Sequence, residues 1–226
     1  MSASTVTVFT GPSLRPADLT HLHRLAEDHD RALDLRPPVR RHDLASLIGT
    51  ESTRKIVMLD GEFGQSLAVS VTEVRALLFA GHRLTGASSM GALRAAECRT
   101  IGMTGSGWVY ERYANGSIES DGEVALLYDP EDYTPVTIPL VNVRWLLAER
   151  VRDEDLSAEE ARTALEIARS VNFRARRHPV LLKQWRRGLP EGAATVLEEH
   201  LADERLDDWD RKRLDALEAV RAALAS

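Results

Sequence analysis

The sequence predicts an α/β protein: a parallel β-sheet with flanking helices, Rossmann-like and doubly wound, followed by a helical C-terminal extension. Three observations carry this expectation. Apolar, β-branched runs recur in the first half of the chain at residues 5–9, 55–59 and 83–85. Each ends in a polar or glycine-containing turn. Each is then followed by a stretch with apolar residues at helical spacing. Such alternation argues for βαβ units, because parallel strands need a crossover long enough to hold a helix, and those crossovers are right-handed.

The elements follow in order. After the first strand, a helix starts near Pro16, whose missing N–H costs nothing in a first turn, and carries Leu19, Leu22 and Leu25 on one face. Arg36-Pro37-Pro38-Val39 ends that pattern as extended chain, since prolines push their predecessors out of the α region. The second helix covers about residues 68–80, with Val74, Leu77 and Leu78 apolar, and stops at Gly81. A third helix runs from Ala92 to Glu97, directly after the third strand. The glycine-rich segment 102–107 lacks the Lys-Ser/Thr ending of a phosphate loop and the dinucleotide spacing, so it reads as a backbone turn. From Val141 the chain is helical. Ser157-Ala158-Glu159-Glu160 is a capping box for a helix reaching Val171. A last helix, about residues 207–224, carries Leu214, Leu217, Val220 and Leu224. The expected division is a core over residues 1–145 and an extension over 146–226.

Composition narrows the function classes. A chain of 226 residues with 43% hydrophobic and 28% charged residues has the balance of a soluble globular protein. Its net charge of −6 argues against a protein built to coat nucleic acid or an acidic membrane. Neither the N-terminal residues nor any later run reads as a signal peptide or a membrane span, which predicts a cytoplasmic location. Cys98 stands alone and suits a small buried apolar role. No Cys/His spacing suggests zinc, and neither metal nor cofactor is expected. Glu119, Asp121 and Glu123 around Gly122 are of the type that coordinates a divalent cation, but they read better as a solvated acidic turn. Arg174, Arg176, Arg177, Lys183, Arg186 and Arg187, with Trp185 among them, suggest a docking face for an acidic protein; an ordinary solvated helix face is the alternative.

Ligands of parallel α/β sheets bind beyond the carboxyl ends of the strands. Three strand ends here carry suitable turns: Thr10-Gly11-Pro12-Ser13, Asp60-Gly61-Glu62-Phe63 and Ala87-Ser88-Ser89. Ser89, with Ala87 two residues before and Gly91 two after, has the form of a nucleophile elbow, whose tight turn demands small neighbours. Ser88 does not fit, because Met90 is its +2 neighbour. A simple N-cap is the other reading of Ser89. The Met90 N–H would face a developing oxyanion, with Gly11 or Gly61 as second donor. Ser13, Ser88 and Arg94 complete the expected binding set. His82 begins its strand and so belongs to the opposite edge, which leaves the carboxylates of Asp60 and Glu97 as bases. Glu97 can instead pair with Arg94.

The chain resembles the TfuA-like protein family. The likeness rests on residues 8–14, Arg36-Pro37-Pro38-Val39-Arg40-Arg41, Asp60-Gly61-Glu62-Phe63, Gly86 through Glu97 and Gly102-Met103-Thr104-Gly105, and more weakly on Tyr110–Tyr113 and Asp121–Ala125, in the family's order. It implies a role in ribosomal peptide (RiPP) thioamidation beside a YcaO-type enzyme. The associated activity is release of sulfide from a thiocarboxylated, ubiquitin-like sulfur carrier, which is acyl-transfer chemistry suited to an elbow serine. A non-catalytic adaptor that docks carrier or peptide onto the YcaO enzyme is the alternative. A small-molecule enzyme using the same crevice is a third reading, and homo-oligomerisation is left open. Many relatives carry His-Lys-Glu on the helix after the second strand; here the positions read Val71-Thr72-Glu73, and Glu73 alone is kept as a binding residue.

Overall fold

The computed structural model describes residues 4–49, 53–64, 66–202 and 205–226. Its packing divides the chain into two units, Met1–Asp121 with Lys212–Ser226, and Gly122–Arg211.

The first unit holds a parallel sheet of five strands: β1 Ser4–Phe9, β2 Arg31–Arg36, β3 Lys55–Met58, β4 Arg83–Gly86 and β5 Thr104–Gly105, in the order β2-β1-β3-β4-β5. Five helices accompany them: α1 Pro16–Asp28, α2 Ala45–Ile48, α3 Val71–Phe79, α4 Met90–Cys98 and α5 Trp108–Ala114. The second unit contains α6 Leu140–Arg152, α7 Ala158–Ser170, α8 His178–Gly188, α9 Glu191–His200 and α10 Leu206–Trp209. The last helix, α11 Arg211–Ala225, belongs to the first unit from Lys212 onward.

The period of two along the strands sorts the core. Val6, Val8, Val57 and Leu59 pack against Leu22 and Ala26 of α1 and against Ala216, Leu217, Val220 and Leu224 of α11. Phe9, Ile56, Met58 and Leu84 face the other way, onto Leu44, Leu47, Val74, Leu77, Ala95 and Cys98. Both faces are therefore covered, and this is why the central strands are apolar throughout. The sheet is doubly wound, as the sequence predicts.

β2 is the strand that the sequence conceals. Arg31-Ala32-Leu33-Asp34-Leu35-Arg36 mixes apolar and charged residues in equal number and lies at the sheet edge. Charges suit an edge because they discourage pairing with another chain. Asp34 is held by Thr7 Oγ1 at 3.1 Å, Arg36 Nε at 3.0 Å and Arg54 at 3.5 Å.

The C-terminal helix is part of the sheet unit, and α6 runs through the expected 145/146 boundary. Asp215 of α11 is fully buried and accepts from the N–H groups of Trp108 (3.0 Å) and Val109 (2.7 Å), capping α5 from outside. Gly107 makes room for it: with φ +91, a Cβ there would stand 2.4 Å from the Asp215 carboxyl carbon. Arg213 grips Asp18 of α1 with two hydrogen bonds, 2.7 and 2.6 Å.

In the second unit, α6 to α10 pack around Leu146, Leu147, Leu181, Trp185 and Leu197. Ser157 and Glu160 form the expected capping box of α7. Two members of the expected basic face need correction here. Trp185 is fully buried and donates to the Ala164 carbonyl at 2.9 Å, while Arg176 is buried and donates to the carbonyls of Ala168 (3.2 Å) and Val171 (3.1 Å). Helical spacing puts Leu181 and Trp185 on the inward side of α8, and Arg176, just ahead of that helix, is buried as well, so Arg176 and Trp185 are core groups rather than surface ones. Glu123 is likewise no solvated acid. It is buried and paired with Arg144 through bonds of 2.8 and 2.7 Å. Among the described residues, no helix is long and apolar enough to cross a membrane.

Candidate functional site

The strand order changes direction between β1 and β3, with β2 on one side and β4 and β5 on the other. At such a switch point the loops leaving adjacent strands part, and a crevice opens at the carboxyl edge. The loop after β1 carries Gly11 and Ser13; the loop after β3 carries Asp60. Asp60 is buried, and its carboxylate joins the two loops. Oδ2 accepts the N–H groups of Gly11 at 2.9 Å and Ser13 at 3.0 Å, and Oδ1 accepts the Ser13 hydroxyl at 2.7 Å. The third strand end joins through Ser88, whose hydroxyl donates to Ser13 Oγ at 2.7 Å. A continuous path of hydrogen bonds thus runs Ser88→Ser13→Asp60, across β4, β1 and β3.

The local sequence forces this approach. The start of α4 lies directly on the end of β3: the Gly91 N–H donates to the Leu59 carbonyl at 3.0 Å, and a Cβ on Gly91 would stand 1.8 Å from the Met58 carbonyl oxygen. A Cβ on Gly86 would meet the Gly91 carbonyl at 2.0 Å. The turn between the two glycines is tight, and Ser88 takes φ +67 to complete it. That conformation costs a non-glycine residue about 1–2 kcal/mol. The elbow is therefore present, but its strained residue is Ser88, bracketed by Gly86 and Gly91. Ser89 is the N-cap residue of α4 by position, at φ −115 and ψ −124, yet its side chain makes no capping hydrogen bond.

The other expected residues distribute as follows. The Met90 N–H makes no hydrogen bond among the described residues, as an oxyanion donor requires. The Gly11 N–H is already committed to Asp60. Gly61 is a packing glycine: a Cβ there would stand 2.5 Å from Met90 Sδ and 2.9 Å from Val39. Arg94 pairs with Glu97 one turn along α4, and its Nε is buried without a partner among the described residues. Glu97 is exposed and does not join the serine path. Glu73 belongs to the start of α3, where it closes a capping box with Ser70 and accepts the His42 N–H. Burial pushes the Glu73 carboxyl up, but these hydrogen bonds outweigh it and hold the group below the usual range. The Ser-x-x-Glu spacing of Ser70 and Glu73 is a capping signal visible in the sequence. Thr10, just past the end of β1, adds a buried hydroxyl with no partner among the described residues. His82 accepts the Arg54 N–H at the far edge of the sheet.

These features define a doubly wound α/β protein whose buried polar path lies at the sheet's switch point, beside a helix N-terminus. The model of the TfuA-like protein family matches residues 60–177, just over half of the 226-residue chain. The chain belongs to that family. The match starts at Asp60 and runs well into the helical unit, beyond the motifs that carry the likeness in the sequence. No curated protein matches the chain.

Proposed function

We propose that this protein hydrolyses a thiocarboxylated sulfur-carrier protein and releases sulfide for a YcaO-type partner that installs thioamides in ribosomal peptides. The observation that supports the reading is the Ser88–Ser13–Asp60 path, which gives an elbow hydroxyl a route for its proton to a carboxylate. Ser88 attacks the thiocarboxylate carbon, its proton moves to Ser13, and the Ser13 proton moves to Asp60. The oxyanion forms beside the Met90 N–H at the N-terminus of α4. Collapse of that intermediate expels sulfide, which takes up the proton. Water then cleaves the Ser88 ester, so that thiocarboxylate and water give carboxylate and hydrogen sulfide. Arg94 supplies a cation for the anionic carrier terminus. Ser89 stands beside the path without a base of its own. The reading is tested by sulfide release from a purified thiocarboxylated carrier, with the YcaO enzyme and ATP left out.

One observation favours the second reading, a non-catalytic adaptor that docks carrier or peptide onto the YcaO enzyme. Ser88 is 0% exposed, and its hydroxyl already serves to tie three strand ends together. The adaptor binds carrier without releasing sulfide, and it accelerates the partner only when both are present.

A further inference from the structure

His200, the last residue of α9, stands where α6, the turn that follows α6 and the segment entering α10 meet in the helical unit. Its Nε2 lies 3.1 Å from Nη1 of Arg150 on α6, and 3.5 Å from Nη1 of Arg205 just ahead of α10. The same nitrogen is 3.7 Å from Asp155 Oδ2 in the turn. Arg150 Nη1 also donates to Asp155 Oδ2 at 2.5 Å, and its Nη2 to Asp153 at 2.8 Å. Arg205 Nε donates to Asp208 at 3.2 Å. The side chains of His200 and Arg150 are only 14% and 13% exposed, so water does little to screen these contacts.

A guanidinium carries donors only and does not lose its proton in a protein. The ring nitrogen that two of them face therefore serves as an acceptor. His200 is the neutral imidazole with its hydrogen on Nδ1, and an imidazolium, which has no free lone pair, could keep neither contact. Among the described residues, the other charges around the ring are engaged or exposed: Glu149 holds Arg152, Asp153 holds Arg150, Asp208 holds Arg205, and Glu199 is exposed on α9. Burial, followed by the charges of Arg150 and Arg205, keeps His200 below its ordinary value of 6.5, while Asp155 and Glu199 pull the other way without prevailing. Leu146, Glu149 and Trp209 help to line a cavity of about 150 Å³ around these groups, which leaves the ring room to turn.

We infer that His200 is a proton-operated latch of the helical unit, which ties the entry of α10 to α6 when the ring is neutral and lets go when it takes up a proton. In the neutral state, Nε2 accepts from Arg150 and from Arg205. A proton on Nε2 turns that atom into a donor: it repels both guanidiniums and swings to the Asp155 carboxylate. Arg205 is then left with Asp208, three residues further along its own segment, and no longer reaches toward α6. The folded ring binds its proton less tightly than the unfolded one. The latch therefore contributes stability above the unfolded value and loses it as pH falls through the lower folded one. It stands independently of any hydrolytic activity.

The test uses the full chain. Histidine Cε1–H resonances are followed by NMR through an acid titration, with His200 assigned from the spectrum of His200→Gln. His200 is expected to titrate below 6.5, and Arg150→Met to move its midpoint upward; Arg205→Met gives the same reading should the first variant fail to fold. Glutamine keeps a carbonyl acceptor for the guanidiniums and takes up no proton in this range. Urea unfolding of wild type and His200→Gln is then compared at neutral pH and just below the titration midpoint so measured. Acid is expected to lower the wild-type unfolding midpoint by more than that of His200→Gln. A His200 that titrates at or above 6.5, a titration unmoved in the folded arginine variant, or an equal acid loss in wild type and His200→Gln overturns the inference.

Discussion

Ser88 and Ser13 lie 75 residues apart in the chain and share a 2.7 Å hydrogen bond, with the Ser88 hydroxyl donating to Ser13 Oγ. Ser13 passes its own hydrogen to Asp60 at 2.7 Å. Removing the middle member separates the elbow from its carboxylate without touching either. Ser13→Ala is expected to reduce sulfide release by about 100-fold or more, the range of general acid–base effects. It also leaves the Ser88 hydroxyl buried without its partner, at a stability cost of about 1–3 kcal/mol, read by urea unfolding. Unchanged turnover in a folded Ser13→Ala protein would remove the relay from the mechanism.

Gly91 is expected to tolerate no side chain. The Cβ of Gly91→Ala would stand 1.8 Å from a main-chain oxygen of β3, which has no flexible end to move aside. Overpacking of this kind costs about 1–3 kcal/mol, and a clash with main chain puts it at the upper end. A Gly91→Ala protein that unfolds at the wild-type urea midpoint would show that α4 does not rest on β3 as described.

The Asp18–Arg213 pair ties α1 to α11 and makes stability depend on pH. Burial pushes the Asp18 carboxyl up, but the bonds from Arg213 and Arg15 dominate and hold it below its ordinary value of 3.8. The folded value is therefore the lower of the two. The pair's contribution is present above the unfolded value and is lost as pH falls through the folded one. Arg213→Met is expected to lower stability near neutrality by about 3 kcal/mol, because it strands a buried carboxylate. The gap between variant and wild type should narrow as pH falls below 3.8 and through the lower folded value. A gap that stays constant from neutrality down to the acid limit of the folded state would show that packing of the Arg213 stem, rather than charge, is the source.

Glu123 and Arg144 form the corresponding pair in the helical unit, buried at the carboxylate end. Glu123→Gln is expected to destabilise that unit by about 3 kcal/mol, since removing one partner leaves a poorly solvated guanidinium. Thermal unfolding of the variant is the measurement. An unchanged midpoint would return Glu123 to the class of surface acids.

Much of this architecture is legible in the sequence, for identifiable reasons. β1, β3 and β4 announce themselves because a sheet covered on both faces needs runs such as Val6-Thr7-Val8-Phe9 and Ile56-Val57-Met58. β2 is hidden because its edge position tolerates Arg31, Asp34 and Arg36. The return of α11 to the sheet is hidden too, since the amphipathic pattern of Leu217, Val220 and Leu224 says that a face is buried but not against what. At the site, the three strand-end turns and the elbow are visible as motifs. Which serine carries the strain is not, because it depends on Gly86 and Gly91 meeting across the turn. The path through Ser13 arises only from the strand order, which places the ends of β1, β3 and β4 side by side. Arg176 and Trp185 look like surface chemistry in the sequence because runs of basic residues conceal which members point inward.

Sulfide release from a purified thiocarboxylated carrier, compared among wild type, Ser88→Ala and Ser89→Ala, tests the proposed activity most directly. All three proteins must first show the same far-UV circular dichroism and unfolding free energies within about 2 kcal/mol, the scale of one lost buried hydrogen bond. Wild type is expected to release sulfide without the YcaO enzyme or ATP. Ser88→Ala is expected to lose activity by several orders of magnitude, as removal of a nucleophile does, while Ser89→Ala retains most of it. Full activity in Ser88→Ala, or no release by the wild type while it still binds carrier, would contradict the hydrolase and leave the adaptor in its place.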